Sequence, residues 1–155
     1  MEEKEIEFQQ YKMYVDLMDR TSERRHKTNS YFLSLNVFLI SLLGAIIATG
    51  LADLKLGWTI FATIAGMILC YSWYRLVRSY KDLNTGKFSL IHKIEEKLPL
   101  QLFAEEWKEL GEGKEPQKYL PFTKIEMIVP WIFLVLYGVL FLWSTLEIIW
   151  NKNLA

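Results

Sequence analysis

One cysteine, four prolines and no net charge set the first limits on this 155-residue chain. A lone thiol, Cys70, closes no intrachain disulfide and builds no cysteine-based metal site or redox pair, so it reads as a small apolar helix residue. Lys and Arg number 18 and Asp and Glu also 18, which removes the basic footprint of a nucleic-acid binder; no nucleic-acid partner is expected. The opening Met1-Glu-Glu-Lys-Glu-Ile-Glu is acidic, and no apolar run follows for some time. The basic start and early apolar core of a cleavable signal peptide are therefore missing. No Ser/His/Asp set, Gly-rich phosphate loop or metal-ligand spacing occurs. Neither enzymatic activity nor a cofactor is expected.

Charge is absent from long stretches as well. Tyr31 to Ala52 and Leu56 to Tyr74 carry none, and Met127 to Trp150 carries only Glu147. Each is close to the roughly 20 residues needed to cross a hydrocarbon core about 30 Å thick. Sixteen of the 18 Lys and Arg residues lie in Met1 to Ser30 and Arg75 to Lys124, leaving only Lys55 and Lys152 elsewhere. Basic flanks resist translocation, so both basic stretches belong on the cytoplasmic side. The expected fold is an all-α integral membrane protein with three transmembrane helices. It divides into a cytoplasmic amphipathic helix at 1–30 continuous with span one, spans at 31–52, 56–74 and 125–150, a cytoplasmic helical region at 75–124 and an extracytoplasmic tail at 151–155. The first span is its own targeting signal, and the C-terminus is periplasmic or extracellular.

Local signals refine this plan. Phe8, Tyr11, Val15 and Met18 form an apolar stripe over Ile6 to Thr28. Asp53 to Gly57 reads as a short loop joining spans one and two. The second span is expected to continue until Asn84-Thr-Gly86 weakens the helix. Phe88 to Leu98 then forms a second helix stopped by Pro99, and Leu100 to Leu110 a third with Gly111 as C-cap. Thr123-Lys-Ile-Glu126 has the form of a capping box opening the third span, and Pro130 predicts a kink within it.

Candidate functional residues fall into three groups. Ser30, Ser34, Val37, Ser41, Ala45 and Ala48 recur at helical spacing, and Asn29 and Asn36 share a neighbouring face. Ser30, Ser34, Asn36, Ser41 and Ala45 are therefore candidates for a pore lining or subunit seam, since small faces let helices approach closely. The competing reading packs this face against spans two and three of the same chain, although Thr59, Thr63, Gly66 and Cys70 give span two its own small face. Arg24, Arg25, Lys27, Arg75 and Arg78 stand where lipid headgroups are expected, and anchoring is their simplest role. Phe88, Ile91, Phe103 and Trp107 offer a cytoplasmic packing or partner face. Arg20 and His26 match an Arg-x5-His spacing similar to an element of HEPN ribonucleases, a short motif that chance supplies often. His92 is expected on a solvated face beside Glu95 and Glu96.

Three strings together carry a family resemblance. They are Tyr11-Lys-Met-Tyr-Val-Asp-Leu-Met-Asp-Arg-Thr-Ser-Glu-Arg-Arg25 leading to Asn29-Ser-Tyr-Phe-Leu-Ser-Leu-Asn36; Arg75-Leu-Val-Arg-Ser-Tyr-Lys-Asp-Leu-Asn-Thr-Gly-Lys-Phe88; and Leu98-Pro99 through Glu106-Trp-Lys-Glu-Leu-Gly111 to Tyr119-Leu-Pro121 and Ile125-Glu126. The chain resembles the RipA family of small octameric bacterial inner-membrane proteins over about Tyr11 to Tyr137. The resemblance implies an inner-membrane homo-octamer, with roles in envelope homeostasis and survival inside host cells attached to the family's namesake. The expectation is a non-enzymatic assembly contacting lipids and forming a pore or vestibule. The alternatives are a membrane-anchored scaffold recruiting a cytoplasmic protein partner and, last, an RNA-cleaving effector using Arg20 and His26.

Overall fold

Neither proline nor glycine interrupts the chain before Gly44, and its first element is correspondingly long. The structure, a computed structural model, describes residues 2–48 and 52–154. Helix α1 spans Glu2–Ala48, α2 Ala52–Glu95, α3 Leu102–Glu109 and α4 Phe122–Leu154, with a 3-10 turn at Gly111–Gly113. No strand occurs among the described residues. Helices α1, α2 and α4 are each long and apolar enough to cross a membrane.

Several expected boundaries move. Helix α2 passes through Asn84-Thr-Gly86 without a break. A mid-helix glycine costs only about 1 kcal/mol, and Lys87, Ile91 and Glu95, buried in the turns that follow, outweigh it. Residues 53–57, expected as the loop joining spans one and two, are helical. Helix α1 is described as far as Ala48, and the rest of the expected span one falls on residues 49–51, outside the described residues, and on Ala52, where α2 begins. The expected tail at 151–155 is helical through Leu154, and Ala155 lies outside the described residues. Helix α4 begins at Phe122, so Thr123 lies inside the first turn and is not its cap. The Lys124 N–H donates to the Pro121 carbonyl at 2.8 Å instead. Pro130 does lie within α4, as its position in the sequence required.

The chain divides into two compact units, one formed by residues up to Lys27 with Val77–Ile125, the other by Thr28–Leu76 with Glu126 onward. In the second, apolar unit, Leu43 of α1, Cys70 of α2 and Tyr137 of α4 form the core, with Leu39, Met67 and Phe133 packed around them. Helix α2 presents Thr59, Thr63, Gly66 and Cys70 inward, all buried. A side chain at Gly66 would overlap the Tyr137 ring, so the glycine is what lets α4 come this close. Aromatic rings tie the helices further: Phe32 stacks on Trp73 at 5.9 Å, and Tyr74 meets Trp131 edge-on at 5.6 Å.

The first, polar unit holds most of the charge, and its interior is small. Met18, Val77 and Ile91 are buried there together with Thr21, Lys87 and Glu95. Helix α3 is closed by Gly111 at φ +69, the left-handed conformation that glycine adopts without cost, as its sequence position predicted. Gly113 sits beneath the Trp107 indole, since a Cβ there would lie 3.2 Å from that ring.

Candidate functional site

Asn36 is the most constrained polar side chain of the apolar unit. It is fully buried, and its amide Nδ2 donates to the Phe32 carbonyl one turn back at 2.8 Å. Its Oδ1 accepts from the Cys70 thiol at 3.3 Å, and its backbone carbonyl accepts from the Tyr137 hydroxyl at 3.4 Å. One turn-pair earlier, Asn29 accepts from the Trp73 indole N–H at 2.8 Å. The two asparagines thus join α1 to α2 and α4 of the same chain. An amide in apolar surroundings must find such partners, because leaving it bare costs several kcal/mol, on the order of 2–7. Asn36 was grouped with the outward small face; the structure places it inside the protomer.

The rest of that group stays outside. Ser30, Ser34, Ser41 and Ala45 are all exposed, as are Val37 and Ala48. The competing reading, that this face packs on spans two and three of the same chain, is corrected: α1 turns Asn29, Asn36 and Leu43 inward. Ser41 satisfies its hydroxyl within the helix, donating to the Val37 carbonyl at 2.8 Å. Gly44 lies on the same exposed side, with open space where a Cβ would be. The small face of α2 is internal; the small face of α1 is presented outward.

In the polar unit, Glu95 carries a junction that periodicity did not mark. The carboxylate is fully buried and accepts from the Tyr11 hydroxyl of α1 at 3.0 Å. It also accepts the backbone N–H groups of Phe103 at 3.0 Å and Ala104 at 3.2 Å, in the first turn of α3. The residue preceding α3, Gln101, makes no side-chain cap, so Glu95 fills that role from another helix. Burial and the adjacent carboxylate push the Tyr11 hydroxyl up to about 12. Two turns earlier, Lys87 is also buried and donates to the Leu17 carbonyl at 3.2 Å and to the Thr21 hydroxyl. Lys87, Ile91 and Glu95 therefore form one inward stripe at i, i+4 and i+8. That spacing, with an uncapped helix start soon after Pro99, is the signal in the sequence that points to Glu95.

Of the other expected residues, Arg24, Lys27, Arg75 and Arg78 are exposed and Arg25 is half-buried. Lys27 pairs with Glu23 at 2.7 Å, and Arg75 donates to the Tyr71 hydroxyl at 3.4 Å. Ile91 is buried, Phe103 half-buried, and Phe88 and Trp107 are each 39 % exposed. Phe88 meets Phe103 edge-on at 6.2 Å, so this apolar face exists but is only partly covered. Arg20 and His26 are both exposed on α1, and six residues apart they point to different sides of it. His92 is half-buried near Phe88, at 6.4 Å between rings, and not fully solvated as expected. Among the described residues, no three His, Cys, Asp or Glu side chains are grouped to hold a metal ion.

With this geometry in place, comparison with known proteins points to a family. The family model of the octameric membrane protein family (8xMP) matches residues 8–146, which include the first two apolar runs, the polar insertion and most of the third run. Neither the curated proteins nor the solved structures give a match.

Proposed function

Because the chain belongs to the octameric membrane protein family, we propose that eight copies close into a ring in the bacterial inner membrane, enclosing a pore or vestibule. The N-terminus and the polar unit lie on the cytoplasmic side and the C-terminus on the other, following the sixteen-to-two division of Lys and Arg. One observation carries the pore reading: α1 turns Ser30, Ser34 and Ser41 outward, while its own chain is served by Asn29, Asn36 and Leu43. Hydroxyls are poorly suited to lipid tails but suit a subunit contact or a wetted conduit. The activity is passage or containment and not catalysis. A contribution to envelope homeostasis or survival inside host cells follows from the family resemblance alone.

Conductance of the purified, reconstituted protein tests this, with Ser34→Leu and Ser41→Leu as the informative variants. In a wide pore both variants assemble normally and conduct less, because an apolar lining dewets. At a close helix contact they disturb the octamer, with overpacking costing about 1–3 kcal/mol per site. Intact octamers with unchanged conductance from both would remove this face from any conduit. A second reading, a membrane-anchored scaffold for a cytoplasmic protein, is supported by the 39 % exposure of Phe88 and Trp107. It takes over if the parent protein forms octamers that do not conduct.

A further inference from the structure

Helices α1 and α2 of the polar unit are covered on one side and bare on the other. On the covered side, Phe88 meets Phe103 of α3. Leu90 follows Phe88 by two residues and Leu83 precedes it by five. At about 100° per residue, both leucines lie roughly 140–160° away from it around α2. There a groove runs between the two helices, lined by Glu7 and Gln10 of α1, by Leu90, Lys93 and Ile94 of α2, and by Lys97 and Leu98 just beyond its end. Gln10 shares its face of α1 with Ile6, Met13 and Leu17, at i−4, i+3 and i+7. Ile6, Met13, Leu17, Leu83 and Leu90 are 48–66 % exposed, a large apolar surface for a unit so rich in charge.

The covering helix has an outer face of the opposite character. Leu102, Glu105, Glu106 and Glu109 are all exposed on α3, which buries none of its residues completely. One side of the unit is thus an apolar groove flanked by Lys93 and Lys97, and the other is a leucine set among glutamates. A ring of identical copies closes through two different, complementary faces on each copy. We propose that the α1–α2 groove of one copy receives the outer face of α3 of the next. Leu102 enters beside Leu90 and Met13, and Glu105, Glu106 and Glu109 face Lys93 and Lys97. Lys97, largely exposed, already lies 3.6 Å from Glu7, which is half-buried. Such a pair is weak enough to be shared. The proposal rests on the ring reading above and names the contact that would close its polar part.

Cysteine cross-linking tests it, in the full-length protein in membranes and in a Cys70→Ala background. Leu90 lies about 160° around α2 from Phe88, the residue that meets α3, so a ladder of linked species, as distinct from a single internally bridged chain, reports a disulfide between two copies. With Leu90→Cys and Leu102→Cys on one chain, copper-phenanthroline oxidation should give a ladder of linked species reaching the octamer. Either variant alone should stay monomeric on a denaturing gel. Separately, Lys93→Glu with Lys97→Glu should reduce the octamer fraction at least several-fold, and adding Glu105→Lys with Glu109→Lys should restore it. Octamers by native size without a ladder would overturn this interface and leave the ring standing. A dimer from Leu90→Cys alone would overturn it by showing a symmetric contact. A parent protein that is not octameric in membranes would overturn the ring reading itself.

Discussion

The Glu95 carboxylate and the Tyr11 hydroxyl meet at 3.0 Å although 84 positions separate them in the chain. The same carboxylate accepts two N–H groups at the start of α3, so three helices depend on one side chain. Glu95→Ala should cost about 3 kcal/mol, since it leaves two backbone donors and one hydroxyl without their acceptor. Glu95→Gln keeps one acceptor oxygen and should cost about half as much. Thermal unfolding reads the total. Hydrogen exchange at Phe103 and Ala104 localises it, and unchanged protection there would refute the capping role.

The same contact gives a pH dependence of definite sign. The Tyr11 hydroxyl ionises at about 10 in an unfolded chain and about 12 in the folded one. The folded state therefore holds this proton more tightly. Its contribution to stability is complete below pH 10 and is lost as the pH rises toward 12. Denaturant unfolding of the parent protein should show this loss across that window. Tyr11→Phe should lack it, while being slightly less stable at neutral pH. A parallel decline in both proteins would assign the alkaline sensitivity to other groups.

Gly66 and Tyr137 should behave as a coupled pair. Gly66→Ala places a methyl group in the Tyr137 ring and should cost about 1–3 kcal/mol by overpacking. Tyr137→Leu removes the ring and the weak bond to the Asn36 carbonyl, and costs stability by itself. The double variant should be more stable than the sum of the two losses allows. A coupling free energy near zero would mean that the helices separate freely at this point.

Gly86 is the contrasting case. It lies within α2, and a Cβ there meets open space. Gly86→Ala should stabilise the polar unit by about 0.5–1 kcal/mol through helix propensity alone. A lower melting temperature, or loss of the octamer, would instead reveal a neighbouring helix packed against the glycine in the assembly.

The long helices were legible because apolar runs and missing breakers are properties of sequence itself. The RipA-like strings likewise pointed to the octameric family that the match over residues 8–146 shows. The failures share one cause. Asn84 to Gly86 have the local preferences of a break, yet helix α2 continues there because Lys87, Ile91 and Glu95 dock beyond it. The outward face of α1 was identified by spacing, but its direction was not, since Ser34 and Asn36 differ by only two positions. Which of them faced inward was decided by Cys70 and Tyr137, far away in sequence. Glu95 looked like one more charge among Lys93 and Glu96. Burial of a carboxylate becomes visible only when the donors that need it are placed beside it.

The Glu95 junction also fixes an order of events during synthesis. Its donors come from Tyr11, made early, and from Phe103 and Ala104, made after both neighbouring apolar runs. Helix α3 is eight residues long, too short to persist alone in water. It therefore gains its fixed position only after α1 and α2 are already side by side. A nascent chain halted before Ala104 lacks one of the two backbone donors that dock the third helix on Glu95. Maturation of this unit is gated by translation, and a copy cannot present its complete outer surface to others before it is nearly finished.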